Sequence, residues 1–208
     1  TRNLQTSIII VRNCEFKKPG QIFSFMNPFS NCAVKILDWT TKQPKNGLPD
    51  DIFYYISRTT PLVNVDLLIK DQNNRVLLSW RDDEYSGTGW HIPGGIIRYK
   101  ENIKKRIEEV AKTELSASVT CDLIPIAVNE IIDDKQRNRG HFISLLYTCC
   151  VDEEYIIDNR NLTSNDQGFL KWHQSCPSNL LSWHEIYREN ITSSDIQPLN
   201  YHKRRKHG

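Results

Sequence analysis

The sequence lacks both an apolar segment long enough to span a membrane and a strong charge of one sign. No stretch resembles an apolar span of 18 residues, and the apolar run at 7–11 is too short for a signal peptide. The 27 Lys and Arg residues against 25 Asp and Glu residues leave a formal net charge of +2, which gives no indication of nucleic acid binding. We therefore expect a soluble, non-exported, cytoplasmic protein. Because the sequence does not begin with Met, an upstream targeting segment stays open.

Cysteines are few and are not spaced as metal ligands. The six cysteines include no CxxC pair, which argues against a structural zinc site. Cys149 and Cys150 follow an apolar run and would point to opposite faces of a strand. In a cytoplasmic protein we expect the cysteines to be reduced and to behave as small core residues.

The length and the local composition predict one main domain with two flanking segments. A chain of 208 residues can bury a substantial core. Residues 48–194 form the predicted domain, and residues 1–47 form an N-terminal extension that is a cap, a dimerisation arm of a homodimer or extra strands. Residues 195–208 form a basic tail, which we interpret as a solvated end rather than a nucleic acid contact.

The stretch from Gly89 to Ser116 organises the domain. A short apolar strand ends at Pro93, Gly94 and Gly95 turn the backbone, and a helix is predicted from Glu101 to about Leu115. Its apolar face repeats at helical spacing through Ile103, Ile107, Val110 and Ala111. A second, exposed face is predicted to carry two acidic–basic pairs, formed by Glu101, Lys105, Glu108 and Lys112.

Glu114 interrupts the apolar face of this helix. The spacing from Ile103 brings it onto the buried edge, where a carboxylate is costly unless a cation or a hydrogen-bond donor meets it. A metal ion would do so, and the backbone at Gly94 could offer a further oxygen ligand. The alternative is that Glu114 lies one turn from the helix end and points into solvent.

The remaining elements follow from alternation and turn residues. Before the central stretch, the sequence predicts a short helix at 49–58, then a hairpin of strands 63–69 and 75–80, with Asn64 and Asp66 on the polar face. A mobile polar loop is predicted at 82–88. After it come strands at 123–132 and 142–151, a polar loop at 156–167 and an amphipathic helix at 178–190.

The central stretch resembles the Nudix box. Gly95 and Glu101 occupy its first two positions, and Glu114 retains one residue of its acidic cluster. Val110 and Thr113 replace two further acidic residues, a loss that resembles the GDP-mannose mannosyl hydrolase branch, which keeps a single metal-binding Glu. The likeness runs from about residue 50 to 119, through SRTTPLVNVDLLI, RVLLSWR, GWHIPGG and AKTELS, and thins through HFISLL and GFLKWH.

The resemblance implies an α/β/α sandwich with a mixed sheet and a Mg²⁺-dependent hydrolase, with Mn²⁺ as an alternative metal. Its substrate would be a nucleotide sugar, and water would attack the anomeric carbon. The implied metal ligands are the Gly94 carbonyl, Glu114 and Asp166. The implied substrate contacts are Asp66 at the sugar, Arg81 at the leaving diphosphate and Phe142 at the nucleobase, although Phe142 in a strand is equally compatible with a core role.

Several substitutions weaken the implied activity. Gln167 stands at the general-base position, where the family has His, and a Gln cannot accept a proton from water. Ile96 and Glu109 replace two diphosphate-binding arginines, and Glu130 replaces a His near the substrate. Candidate replacements for the base are His91, His173 and Asp166, and candidate replacements for the arginines are Arg98, Lys100 and Arg139.

Two other functions stay open. A Nudix-fold domain that binds a nucleotide, a nucleotide sugar or a protein with little turnover is favoured by Gln167, Glu109 and Ile96. An ordinary Nudix diphosphatase is disfavoured, because Val110 and Thr113 leave too few carboxylates for a multi-metal site.

Overall fold

Residues 44–84 and 86–194 are described by a computed structural model. The predicted N-terminal extension therefore lies outside the described residues except for 44–47, and the predicted basic tail lies outside them completely. In the described part of the chain no helix has the length and apolar character needed to cross a membrane.

Along the described chain, a helix is followed by four strands, a second helix, four more strands and a last helix. A 3-10 turn at Pro44–Asn46 precedes the first helix, and another 3-10 segment at Ser182–Tyr187 precedes the last. The helices are α1 (Asp50–Ser57), α2 (Ile103–Leu115) and α3 (Arg188–Thr192). The strands are β1 (Leu62–Ile69), β2 (Val76–Asp83), β3 (Gly87–His91), β4 (Gly94–Ile96), β5 (Val119–Cys121), β6 (Ala127–Ile132), β7 (His141–Val151) and β8 (Leu170–His173).

Two sheets carry the fold. In the five-stranded mixed sheet, β1 pairs in parallel with β7 and antiparallel with β4, while β5 and β6 both pair antiparallel with β7. The second sheet is antiparallel, with β2 between β3 and β8. The predicted mixed α/β architecture is confirmed.

Strand β1 separates two apolar clusters because its side chains alternate. Val65, Leu67 and Ile69 pack with the apolar face of α2, on the side of β1 opposite Asn64 and Asp66. Leu68 points the other way and belongs to a cluster with Trp80 of β2, Trp90 of β3 and residues of the C-terminal part, including Tyr187 and Ile191. Asp66 therefore lies on the same side of β1 as the second cluster.

Helix α2 begins two residues later than predicted, because Asn102 caps it. The Asn102 side chain accepts a hydrogen bond from the Lys105 backbone N–H at 2.8 Å, a normal N-cap arrangement. Glu101 lies before the helix and is not on its exposed face. Its side chain is 5% exposed and forms two 2.8 Å hydrogen bonds with the Arg106 guanidinium, so the predicted solvent-facing role of Glu101 is wrong.

The pairing of β2 was wrongly predicted. The turn at 71–74 forms, but β1 and β2 share only the isolated bridge between Lys70 and Val76, and β2 pairs instead with β3 and β8. The predicted mobile loop at 82–88 is mostly strand, because β2 continues to Asp83 and pairs with β3 at Thr88 and Gly87. Thr88 also donates a hydrogen bond to Asp82 at 2.8 Å.

The C-terminal helix predicted at 178–190 does not form over that range. Leu180 forms a parallel β-bridge with Trp90, and the Leu181 N–H donates to the Trp90 carbonyl at 2.8 Å. The backbone there therefore pairs with β3 and is not helical. The 3-10 segment follows only at Ser182, and α3 follows it.

The cysteine prediction is also corrected. Cys121 and Cys149 are register partners on β5 and β7 and form a disulfide, with a Cα–Cα distance of 4.2 Å. Cys176 is a free thiol, and Cys150 is buried on β7. Sequence spacing could not identify this pair, because the antiparallel register of β5 and β7 brings it together.

Candidate functional site

One cavity brings together four of the six predicted site residues. It encloses about 790 Å³, including its open mouth, and lies where β1, β2 and β4 meet the start of β7. Its lining includes Asp66, Arg81, Gly94 and Phe142. Glu114 and Asp166 are not among its lining residues.

Asp66 is the buried acid of this cavity. Its Oδ2 accepts hydrogen bonds from the Ser144 hydroxyl and, at 2.5 Å, from the Tyr187 hydroxyl. Its Oδ1 accepts one from the Asn64 amide at 2.7 Å. The carboxylate is therefore anchored mainly through Oδ2.

Burial raises the pKa of Asp66 to about 6, because the charged form loses its hydration. Hydrogen bonds from Ser144 and Tyr187 act in the opposite direction, and the nearby Glu114 carboxylate adds to the rise. Asp66 is thus a carboxyl group that changes charge close to neutral pH.

Two glycines allow the backbone of β4 to approach its neighbours. Gly94 is the register partner of Asp66, and a Cβ placed on Gly94 would lie 2.1 Å from Asp66 Oδ1. A Cβ on Gly95 would lie 2.8 Å from a methyl group of Val110 on α2. The Gly-Gly pair is therefore needed for β4 to fit between Asp66 and the helix.

Two arginines line the cavity from different elements. Arg81 lies on β2, with its Nε 3.6 Å from Asp83 Oδ2. Arg139 lies in the loop before β7. Of the three cations considered as replacements for the missing arginines, Arg139 borders this cavity and Arg98 and Lys100 do not.

An aromatic pair forms another part of the wall. Phe142 and Trp183 meet edge to face, with ring centroids 5.7 Å apart. Both border the cavity, so Phe142 is in a position to contact a ligand and is not confined to the core. Each of the two rings has an apolar face against which a planar ring can pack.

Glu114 lines a second, neighbouring cavity that shares Arg81 and His91 with the first. Its side chain is 23% exposed, and its Oε2 lies 3.5 Å from His91 Nε2. Gln167 lines the same cavity. Glu114 therefore faces other polar groups beside the main cavity.

Asp166 lies apart from both cavities. It is exposed, and its Oδ2 accepts hydrogen bonds from the Thr163 N–H at 2.6 Å and the Thr163 hydroxyl at 2.8 Å. The Thr163 backbone and side chain hold the pKa of Asp166 below its usual value. In the described ranges no three His, Cys, Asp or Glu side chains are grouped as a metal site.

The histidines near the site differ in their chemistry. Burial, helped by Lys171, lowers the pKa of His173 to about 4, which makes it a weak base. Burial, together with the His91 and Arg81 charges, holds the pKa of His184 well below its usual value. His184 Nδ1 accepts a hydrogen bond from the Ile92 N–H at 3.3 Å, so it acts as a neutral acceptor.

Sequence reasoning missed the residues that the 3-10 segment brings to the site. Trp183, His184 and Tyr187 all come from it, beyond the region of strong resemblance. Ser144 was also missed, although its place in β7 next to Phe142 could have indicated that it borders the same space as Asp66.

Comparison with known proteins finds partial sequence similarity to curated proteins. No protein-family model matches the sequence. The low-salt glycan biosynthesis protein Agl8 of Haloferax volcanii is 35% identical over 80 residues, which cover 38% of this chain and 51% of that protein. The chain thus matches about half the length of this curated relative.

A solved structure decides the fold. The MutT NUDIX hydrolase of Burkholderia pseudomallei superposes with a TM-score of 0.52 at 20% identity, covering 64% of this chain and 99% of that one. The chain has the Nudix fold. At this identity the fold does not determine the reaction of this Nudix-fold chain, so the reaction has to be argued from the site.

Proposed function

We propose that this chain hydrolyses a nucleoside-diphosphate sugar, most simply GDP-mannose, to the free sugar and the nucleoside diphosphate. The observation that carries the proposal is that a buried carboxylate, Asp66, and a guanidinium, Arg81, line one cavity beside the Gly94 backbone. The partial similarity to a glycan biosynthesis protein also supports a sugar-containing substrate.

The two charged groups suit the two ends of the bond to be broken. Attack of water at the anomeric carbon develops positive charge on the sugar, which the Asp66 carboxylate would stabilise. Negative charge develops on the departing diphosphate, and Arg81 would donate charge-assisted hydrogen bonds to it. Phe142 and Trp183 would contact the nucleobase.

The proposed metal site fits these residues in part. The Gly94 carbonyl and the Glu114 carboxylate offer the hard oxygen atoms that Mg²⁺ prefers. Asp166 fits less well, because its carboxylate is already engaged by Thr163. When bound, Mg²⁺ would supply charge neutralisation for the leaving diphosphate.

Proton transfer is the part of the reaction that this site supports least. Gln167 can orient a water molecule through its amide but cannot take its proton. His173, with a pKa of about 4, is a poor acceptor at neutral pH. These two observations favour, as the second candidate function, a Nudix-fold domain that binds a nucleotide or nucleotide sugar with slow or no turnover.

The test is ³¹P NMR of GDP-mannose incubated with the protein and Mg²⁺. GDP as the product supports attack at carbon, GMP would indicate a diphosphatase, and an unchanged spectrum with measurable GDP binding would favour the binding domain. Glu114→Gln should abolish Mg²⁺-dependent turnover, and Asp66→Asn should lower kcat far more than it weakens GDP binding. Unchanged turnover in both variants would contradict the proposed site.

A further inference from the structure

His91 is a buried histidine whose ring nitrogens have no hydrogen-bond partner among the described residues. It ends β3, and its side chain is 4% exposed. Both Nδ1 and Nε2 are shielded from solvent. Unpaired buried nitrogen atoms are uncommon in folded proteins and often mark the place of a water molecule or an ion.

Glu114 places a charged atom close to this ring. Glu114 Oε2 lies 3.5 Å from His91 Nε2, which is longer than a good N–H···O hydrogen bond. A divalent cation bonds to nitrogen and oxygen ligands at roughly 2.1 Å each, so one ion can bridge two atoms at this separation. The space between the two side chains therefore suits a shared ion better than a direct contact.

The surroundings also suit a cation. His91 and Glu114 line one cavity, and the Gly94 backbone lies three residues after His91. Asp66, close enough to Glu114 for its pKa to respond, adds negative charge. His184 packs against His91 with ring centroids 5.7 Å apart, and its low pKa keeps that ring neutral. Arg81 lines the same cavity, and its positive charge acts against cation binding.

We propose that His91 Nε2 and the Glu114 carboxylate bind one divalent cation together. The imidazole ligand shifts the preference of the site away from Mg²⁺, which favours oxygen ligands, towards Mn²⁺, Co²⁺ or Zn²⁺. This inference shares Glu114 with the proposed function and rests on it only for the catalytic role of the ion.

The first test uses the unaltered protein. Pulsed EPR of the Mn²⁺-loaded protein should show hyperfine coupling to an imidazole nitrogen. If Mn²⁺ is bound but shows no coupling to nitrogen, the inference is wrong. Because no substitution is involved, the result does not depend on a variant that folds.

The second test compares affinities for Co²⁺ and Mg²⁺ by calorimetry. His91→Gln should weaken Co²⁺ binding at least tenfold and Mg²⁺ binding less, while Glu114→Gln should weaken both. The matched control is His141→Gln, because His141 and Glu130 form a similar pair at 3.2 Å on the surface. This variant should bind Co²⁺ and Mg²⁺ with the affinities of the unaltered protein.

The outcomes separate this inference from the proposed reaction. If Glu114→Gln loses Mg²⁺ while His91→Gln keeps full Co²⁺ affinity, the inference is wrong and the Glu114 metal site of the proposed function survives. If nitrogen coupling is seen but GDP-mannose is not converted to GDP, the inference stands and the proposed reaction is wrong.

Discussion

Tyr187 donates a 2.5 Å hydrogen bond to Asp66 across 121 positions of the sequence. Both side chains are buried, so the bond links the 3-10 segment to β1 inside the protein. The Tyr187 hydroxyl also contacts Ser144, which donates to the same carboxylate oxygen. Burial and the nearby Asp66 carboxylate raise the pKa of Tyr187, so its hydroxyl remains a donor at neutral pH.

Tyr187→Phe removes this hydrogen bond and keeps the ring in place. We expect the free energy of unfolding to fall by about 1.5–3 kcal/mol, the usual worth of a hydrogen bond to a charged group. Under the proposed function kcat should fall more than KM rises, because the nucleotide contacts are unchanged. Tyr147→Phe is the control, since Tyr147 is equally buried in the other apolar cluster. Equal effects of both variants on kcat would contradict a positioning role for Tyr187.

The pKa of Asp66 makes stability depend on pH. Burial raises the pKa of Asp66 from 3.8 to about 6, so the folded state favours the protonated carboxyl. The protonated group therefore adds to the free energy of unfolding below pH 3.8, and this addition is lost as the pH rises to about 6 and above. The shift corresponds to about 3 kcal/mol at pH 7. Asp66→Asn cannot titrate, so its stability should vary less with pH over this range than that of the unaltered protein. Denaturant titrations at several pH values would measure this, and parallel profiles would show the shift to be absent.

Glu101 and Arg106 form a buried ion pair between the turn and α2. Burial acts to raise the pKa of Glu101, but hydrogen bonds from the Arg98 backbone and the Arg106 guanidinium outweigh it and hold the pKa below its usual value. Glu101→Gln leaves Arg106 buried without a counter-charge, and we expect a loss of about 3 kcal/mol in denaturant unfolding.

The control for this pair is Glu108→Gln. Glu108 and Lys104 are 3.9 Å apart with exposed side chains, and such pairs contribute about 0–1 kcal/mol. Similar losses in the two variants would mean that the burial of Glu101 is not what matters.

Arg139 is expected to bind the diphosphate that Ile96 cannot. Arg139→Gln removes one guanidinium from the cavity and should weaken GDP binding about tenfold or more, the loss expected for a charge-assisted bond. Arg137→Gln is the control, because Arg137 is exposed on the same loop. Calorimetric titration with GDP measures both, and unchanged affinity in Arg139→Gln would exclude this role.

The disulfide between Cys121 and Cys149 closes a segment of 28 residues that starts just after α2. Loop closure of this length stabilises the folded state by about 3.5 kcal/mol in the chain-entropy description. Thermal unfolding with and without dithiothreitol should show a lower Tm after reduction. Cys121→Ser should have the lower Tm without reductant, whereas Cys150→Ser should retain the response to dithiothreitol.

Sequence reasoning succeeded where the signal is local. Helix α2 and strand β1 were predicted because their apolar residues repeat with the period of each element, and the packing of both confirms it. Asp66, Arg81 and Gly94, which the resemblance indicated as site residues, line one cavity, and their roles stay predictions.

What could not be predicted depends on contacts between distant residues. The pairing of β2 with β8 and the register that joins Cys121 to Cys149 are set by tertiary packing, which has no local sequence signal. The apolar residues around Leu180 have helical spacing, but pairing of that backbone with β3 outweighed it. The hydrogen bond from Tyr187 to Asp66 could not be predicted either, because it joins residues 121 positions apart.

The 3-10 segment at Ser182–Tyr187 contributes three side chains to the site within a few consecutive residues. Trp183 lines the cavity, His184 accepts a hydrogen bond from the Ile92 N–H, and Tyr187 donates one to Asp66. The residues just before it are joined to β3 by backbone hydrogen bonds of Asn179 and Leu181 with Trp90, which do not depend on the side chains that the segment presents. Substitutions at Trp183 can therefore be made without removing the backbone hydrogen bonds of the strand pairing. In evolutionary terms, the chain can change the ligand that it accepts by altering this short stretch while the sheet carrying Asp66 and Arg81 stays the same.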